Sequence, residues 1–188
     1  MISYFSNPPL VCTLGASVKI PFAEIAQNGN QYHFTDDTWL TATGFINTAP
    51  VEAELTVRRK AENRAEVQGT LHTSLRLTCD RCLATYEVPI ATTFHLVLEV
   101  PDEEESWSVK ALAEGTDIEL LELDKPVADL IDILQQQLYL SLPMKQVCAA
   151  DCQGLCPGCG VNLNSGTCTC AGSVENSPFA VLAALKKK

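Results

Sequence analysis

Six cysteines fall within residues 148–170, a stretch of 23 residues, interleaved with Gly154, Pro157, Gly158, Gly160 and Gly166. So short and polar a segment cannot fold on apolar burial alone, which points to a bound ion as its organiser. The first ten residues, MISYFSNPPL, carry no Lys or Arg ahead of their apolar side chains and place Pro8 and Pro9 where a signal peptide needs an apolar helix. The expectation is a cytoplasmic chain. In a reducing compartment nine cysteines among 188 residues speak for metal or redox chemistry rather than disulfide stapling.

Eight of the nine form close pairs: Cys79 with Cys82, Cys148 with Cys152, Cys156 with Cys159, and Cys168 with Cys170. Two residues between thiolates let both reach one tetrahedral ion, at about 2.3 Å per zinc–sulfur bond. Cys156-Pro-Gly-Cys159-Gly is the most specific pair, because proline fixes φ and the glycines permit the tight turn of a metal knuckle. Structural zinc needs four ligands, and four pairs divide into two such sites in three ways that spacing alone does not separate. The eight-residue gap between Cys159 and Cys168 favours Cys156, Cys159, Cys168 and Cys170 as one site. Cys79, Cys82, Cys148 and Cys152 then make the second, and the expectation is one or two zinc ions per chain. Cys12 has no neighbouring partner and reads as structural.

A redox role for Cys79-Asp-Arg-Cys82 competes with this reading. Thioredoxin-like pairs sit at a helix N-terminus, however, and here strand-like sequence lies on both sides. His33, His72 and His95 are the remaining soft ligands; by period-two geometry His72 and His95 point outward from a sheet. No serine nucleophile elbow, phosphate-cradling glycine loop or HExxH helix is present, and no catalytic residues are assigned.

Between residues 38 and 100 apolar and polar residues repeatedly alternate, most clearly at Tyr86, Val88, Ile90, Thr92, Phe94, Leu96, Leu98 and Val100. Earlier runs, Val67 to Leu77 and Val51 to Val57, precede it, with turns at residues 47–50 and 62–64. Long strands in succession without helices between them predict an antiparallel sheet or partly closed barrel. Residues 99–132 hold twelve of the 23 carboxylates, and PDEEESWS from Pro101 reads as a solvated loop. A helix is expected next, with Asp124 as cap, Pro126 in the first turn, Val127, Leu130, Ile131, Leu134, Leu138 and Leu142 at helical spacing, and Pro143 as its end. Residues 178–188 read as a short docking helix closed by three lysines.

The fold class is therefore α+β. A mainly β domain over 1–123 with an acidic loop at 101–117 leads to a helix at 124–143, a cysteine-rich metal module at 144–172, and a C-terminal helix and basic tail at 173–188. No apolar run approaches the roughly 20 residues of a membrane helix. The net charge of −10 excludes a surface that attracts phosphates everywhere. Arg58, Arg59, Lys60, Arg64, Arg76 and Arg81 are offset locally by Glu52, Glu54, Glu62, Glu66 and Asp80, and no aromatic stacking platform is interleaved with them. Nucleic-acid-binding residues are not assigned.

Several of these segments resemble one family. Leu77-Thr-Cys79-Asp-Arg-Cys82-Leu83 is similar to its first cysteine motif, and Leu140-Ser-Leu-Pro143 to its leucine–proline helix exit. The run from Cys148 through Cys152, Cys156-Pro-Gly-Cys159 and Asn164 to Cys168-Thr-Cys170 resembles its cysteine-rich tail, and residues 178–185 its terminal helix. The family is that of the YceD-like large ribosomal RNA subunit accumulation proteins. The resemblance implies a non-enzymatic factor of the bacterial cytosol or plastid stroma, needed for synthesis, processing or stability of 23S ribosomal RNA, with ribosomal RNA or a large-subunit ribosomal protein as partner. The alternatives are a cytosolic thiol oxidoreductase using Cys79 and Cys82, and a zinc-dependent nucleic-acid-binding module.

Overall fold

A computed structural model describes residues 10–11, 17–41, 43–101 and 119–170. The sequence-expected acidic loop, the terminal docking helix and Cys12 lie outside these residues. The chain divides into two compact units, residues 1–76 with 87–142 and residues 77–86 with 143–188.

The alternation in the sequence becomes strands β5 (Glu52–Arg59), β6 (Arg64–Thr78) and β7 (Thr85–Glu99). One face is buried: Ala53, Leu55 and Val57 on β5; Ala65, Val67, Leu71 and Leu75 on β6; Ile90, Phe94, Leu96 and Leu98 on β7. This is what period-two patterning requires of a sheet with one dry side. Shorter strands extend it: β1 (Leu10–Val11), β3 (Asn30–Phe34), β4 (Ile46–Asn47) and β8 (Glu119–Glu122). The order is β1-β3-β5-β6-β7-β8, with β4 pairing β6 beyond the end of β5. Pairs β3–β5, β4–β6 and β5–β6 are antiparallel, as expected.

Among the described residues the sheet is open, with β1 and β8 at its ends, the first of the two expected forms. The two end strands depart from the antiparallel expectation: they pair in parallel, β1 with β3 and β8 with β7. For β7 and β8 the intervening residues 100–118 give the length a parallel crossover needs.

The helix α2 spans Leu130–Ser141 rather than starting near Asp124. Residues Val127–Asp129 are instead strand β9, paired antiparallel with β2 (Lys19–Pro21). Asp129 is the cap: its carboxylate accepts the N–H groups of Ile131 at 3.2 Å and Asp132 at 3.3 Å. The helix buries Leu130, Ile131, Ile133, Leu134, Gln137 and Leu138, and Leu142 follows it in extended conformation. Before it, the one-turn helix α1 (Thr38–Thr41) buries Trp39 and Leu40, and Gln135 donates to the Trp39 carbonyl at 3.1 Å.

Close packing inside the sheet is sharpest at Gly69. A Cβ there would lie 2.6 Å from Cζ of the buried Phe94 ring and 3.0 Å from the Glu54 carbonyl oxygen. Gly69→Ala is expected to destabilise the fold by about 1–3 kcal/mol through overpacking. Urea unfolding measures this, and a variant as stable as the parent would mean that the ring moves aside freely.

The open face of the sheet is polar. Glu66 accepts Lys60 at 2.6 Å and also meets His95, while Arg64 meets the buried Glu99 at 2.6 Å. The Lys60 ammonium is the main cause that holds the Glu66 carboxyl below its ordinary value, against an opposing effect of burial. His72 is exposed and His95 half-buried, both on this face as the alternation requires. A broad concavity of about 440 Å³ lies here, with Glu54, Gln68, Thr70, Thr93 and His95 among its lining residues.

Candidate metal centres

The second unit is assembled from the turn between β6 and β7 and from the segment after α2. Strand β6 delivers Cys79 just beyond its last residue, and the chain then turns so that the Leu83 N–H donates to the Cys79 carbonyl at 2.9 Å. The same turn recurs at the proline–glycine pair, where the Gly160 N–H donates to the Cys156 carbonyl at 2.8 Å. In both turns the residue after the second cysteine is left-handed, Leu83 at φ 59° and Gly160 at φ 75°. The two cysteine pairs are thus equivalent knuckles, one with the glycine that the conformation favours and one without it.

Leu83 is 63% exposed, so it gains little from burial to offset that strain. Leu83→Gly removes an unfavourable left-handed leucine at the cost of extra chain entropy in the unfolded state. A net stabilisation of about 0.5–1 kcal/mol is expected, read as a rise in the unfolding midpoint. A fall would mean that the leucine side chain makes a contact worth more than the strain.

The segment 146–155 is tied to the first knuckle by backbone and side-chain bonds. Asp80 and Gln146 exchange two bonds: the Asp80 N–H donates to the Gln146 carbonyl at 2.7 Å, and the Gln146 N–H donates to the Asp80 carboxylate at 2.9 Å. Arg81 donates to the Cys152 carbonyl at 2.8 Å, and its own carbonyl accepts the Leu155 N–H at 3.1 Å. Gly154, at φ 76°, lets the backbone pass there: a Cβ would lie 3.0 Å from the Arg81 carbonyl oxygen.

The result is two groups of four sulfurs. Cys79, Cys82, Cys148 and Cys152 form one, and Cys156, Cys159, Cys168 and Cys170 the other, the sulfurs of each lying within 4.8 Å of one another. Measured pairs are Cys79–Cys152 at 3.8 Å and Cys82–Cys148 at 3.6 Å in the first, and Cys156–Cys168 at 3.3 Å and Cys159–Cys168 at 3.4 Å in the second. A tetrahedral ion with bonds of about 2.3 Å sets its sulfurs about 3.8 Å apart, whereas a disulfide sets them near 2.05 Å. The separations in the first cluster match the edges of such a tetrahedron, those in the second are shorter, and none is that of a covalent bond: all eight cysteines are free thiols. Of the three ways to divide four pairs, the chain takes the one favoured by the short gap between Cys159 and Cys168.

The electrostatics of the thiols fit a cation. Burial opposes ionisation of Cys79, yet the amides of Cys148, Cys82 and Arg81 directed at its sulfur bring it down to about 6. The amides of Cys159 and Gly158, followed by the Cys168 sulfur, bring Cys156 to about 6. Their neighbours go the other way: Cys148 is pushed up to about 12, first by the Cys82 sulfur and then by that of Cys152, and Cys168 to about 12, first by the Cys156 sulfur. Four like charges cannot gather in so small a volume unaided, and each cluster can become a full set of thiolates only around a cation.

The two clusters differ in setting. In the first, Cys79, Cys82 and Cys152 are buried and Tyr86, Val147 and Leu155 pack against them. In the second only Cys156 is buried, while Cys159 and Cys170 are exposed. Sequence reasoning found the eight sulfurs but not Asn164, whose amide donates to the Cys152 sulfur at 3.3 Å. Nothing in residue spacing marks a donor twelve positions away from its acceptor. The available signals were the polar Asn162-Leu-Asn164 run between Cys159 and Cys168 and the place of Asn164 in the segment that resembles the family's cysteine-rich tail.

A mostly antiparallel sheet in one unit and, in the other, two clusters of four cysteines, each able to hold an ion, define the class of this protein. The chain belongs to the YceD family: the family model described as "Large ribosomal RNA subunit accumulation protein YceD" matches residues 67–186, which include all eight clustered cysteines. It is 32% identical over 153 residues to the chloroplastic large ribosomal RNA subunit accumulation protein YCED homolog 1 of Zea mays, covering 70% of this chain and 52% of that one. To the Arabidopsis thaliana protein of the same description it is 27% identical over 159 residues, covering 74% and 49%. An uncharacterized protein of Mycobacterium bovis is 30% identical over 100 residues, covering 53% and 45%. The chain thus spans about half the length of these relatives. No solved structure matches. Among the described residues no helix is long and apolar enough to cross a membrane.

Proposed function

We propose that this chain supports the accumulation of large-subunit ribosomal RNA as a non-enzymatic factor, with zinc at both cysteine clusters holding its second unit in shape. The family match across residues 67–186 carries the reading, since it takes in both clusters. Zinc supplies a closed tetrahedral tie between chain segments and no turnover. The chain's own residues do the rest: the amides at Cys79 and Cys156 favour thiolates ready for an ion, and Asp80 and Arg81 hold the distant segment in register.

The oxidoreductase reading of Cys79 and Cys82 is disfavoured by access. A thiolate must reach a substrate disulfide in line, and these side chains are only 0% and 4% exposed. For the partner, charge favours a basic large-subunit ribosomal protein over naked RNA. The net charge is −10, Lys19, Lys60 and Arg64 face carboxylates, and Arg59 and Arg81 donate to backbone carbonyls. The bacterial cytosol or the plastid stroma is the proposed compartment, in keeping with the chloroplastic plant relatives.

Deleting the gene and measuring mature 23S RNA tests the role; a loss restored by the parent chain but not by Cys156→Ser is expected, and unchanged 23S levels and subunit profiles would remove the reading. Pull-down from cells with and without nuclease tests the partner. A ribosomal protein retained after nuclease is expected, and recovery that depends on intact RNA would reverse the assignment.

A further inference from the structure

The loop between Cys159 and Cys168 belongs to the second cluster by its ends and to the first by its middle. Asn164 donates its side-chain N–H to the Cys152 sulfur at 3.3 Å, while its side-chain oxygen accepts the Gln153 N–H at 2.8 Å. Asn162 fixes the amide from below, its side-chain oxygen accepting both the backbone N–H and the side-chain N–H of Asn164 at 2.9 Å. The Leu163 N–H donates to the Gly154 carbonyl at 2.9 Å, and Leu155 and Asn162 form a β-bridge. The Cys156 N–H reaches the Val161 carbonyl at 2.8 Å. A single loop, closed by ligands of one cluster, therefore presents a donor to a ligand of the other.

We propose that Asn164 couples the two cysteine clusters, so that closing an ion into Cys156, Cys159, Cys168 and Cys170 tightens the hold of Cys79, Cys82, Cys148 and Cys152 on theirs. The inference rests on the metal reading of the proposed function. Its physical content is direct. A divalent ion held by four thiolates leaves a net charge of −2, and a buried thiolate with a preset N–H donor carries its share of that charge at lower cost. The donor is preset only when the loop is closed, and the second ion closes it. By linkage the effect is mutual: an ion in the first cluster equally favours one in the second. Asn164 is a positioning residue, since it touches a ligand and not the ion.

Titration of the metal-stripped full chain with cobalt(II), followed by sulfur-to-cobalt charge-transfer absorption, tests this. The parent is expected to take up two ions with positive cooperativity. Asn164→Asp keeps the oxygen that accepts the Gln153 N–H and loses the donor to Cys152, and Cys168→Ser opens the loop. Each is expected to lower cobalt affinity at the first cluster by about 10–100-fold, the range for loss of a hydrogen bond to a metal ligand. General loosening of the loop is separated by a third chain. With Cys82→Ser as background, only the second cluster loads fully, and Asn164→Asp is expected to leave its affinity as it was. Two ions bound independently, with the first cluster equally tight in the parent, Asn164→Asp and Cys168→Ser, would overturn the coupling and leave the metal reading intact. A parent chain that takes up no cobalt would overturn both.

Discussion

Stripped of metal by a strong chelator, the second unit is expected to lose its order while the sheet of the first keeps its own. The apolar side chains packed against the buried cysteines of the first cluster are few and only partly buried, Tyr86, Val147 and Leu155, and such a core does not outweigh the entropy of ordering residues 77–86 and 143–170. Structural zinc in small peptides contributes about 10–16 kcal/mol at neutral pH, and under the proposed zinc reading a contribution of that order folds the unit. The amides to follow by hydrogen exchange are those of Asp80, Leu155 and Leu163, each bonded across the unit. Their protection should collapse on chelation and return with zinc, while the amides of β5 stay protected. Unchanged protection at those three amides in chain verified to be free of metal would show that the thiols pack well enough without it.

Leu134→Ala is the second large effect. Leu134 is 0% exposed in the middle of α2, between Leu130 and Leu138, which are equally buried. Removing three carbons there leaves a cavity that the flanking turns of a helix cannot fill, and about 2–5 kcal/mol is the expected loss. Urea unfolding of the full chain gives the value, and metal content should not change, because the substitution lies in the first unit. A loss under about 1 kcal/mol would mean that the site collapses around the smaller side chain.

The parts of the fold that were legible are those in which a physical constraint acts on neighbours in sequence. One dry face forces alternation on β5, β6 and β7, so Val67, Gly69, Leu71 and Leu75 announce their side of the sheet by position alone. The knuckles were legible for the same reason, since two cysteines three positions apart can turn both sulfurs toward one tetrahedral ion. The favoured division into clusters followed from loop length, and the structure brings those same sulfurs together.

Where partners are distant, the signals fail or mislead. Asp124 and Pro126 look like a helix start, yet the backbone of residues 127–129 is taken by β2, more than a hundred positions earlier, and the cap falls to Asp129. The parallel end strands carry no local mark either: β8 is Glu-Leu-Leu-Glu, without the alternation that identifies an antiparallel neighbour. Leu83 shows a further limit. Gly160 advertises its left-handed turn by being glycine, while Leu83 adopts the equivalent turn with a side chain that argues against it.

Under the proposed function the eight paired thiols hold metal and nothing else. Native mass spectrometry of untagged protein, purified without chelator and without added metal, tests it most directly. The expected mass is that of the chain with two zinc ions added and four protons removed, two for each divalent ion; a chain at its metal-free mass, or lighter by the two hydrogens of each disulfide, would overturn the metal reading.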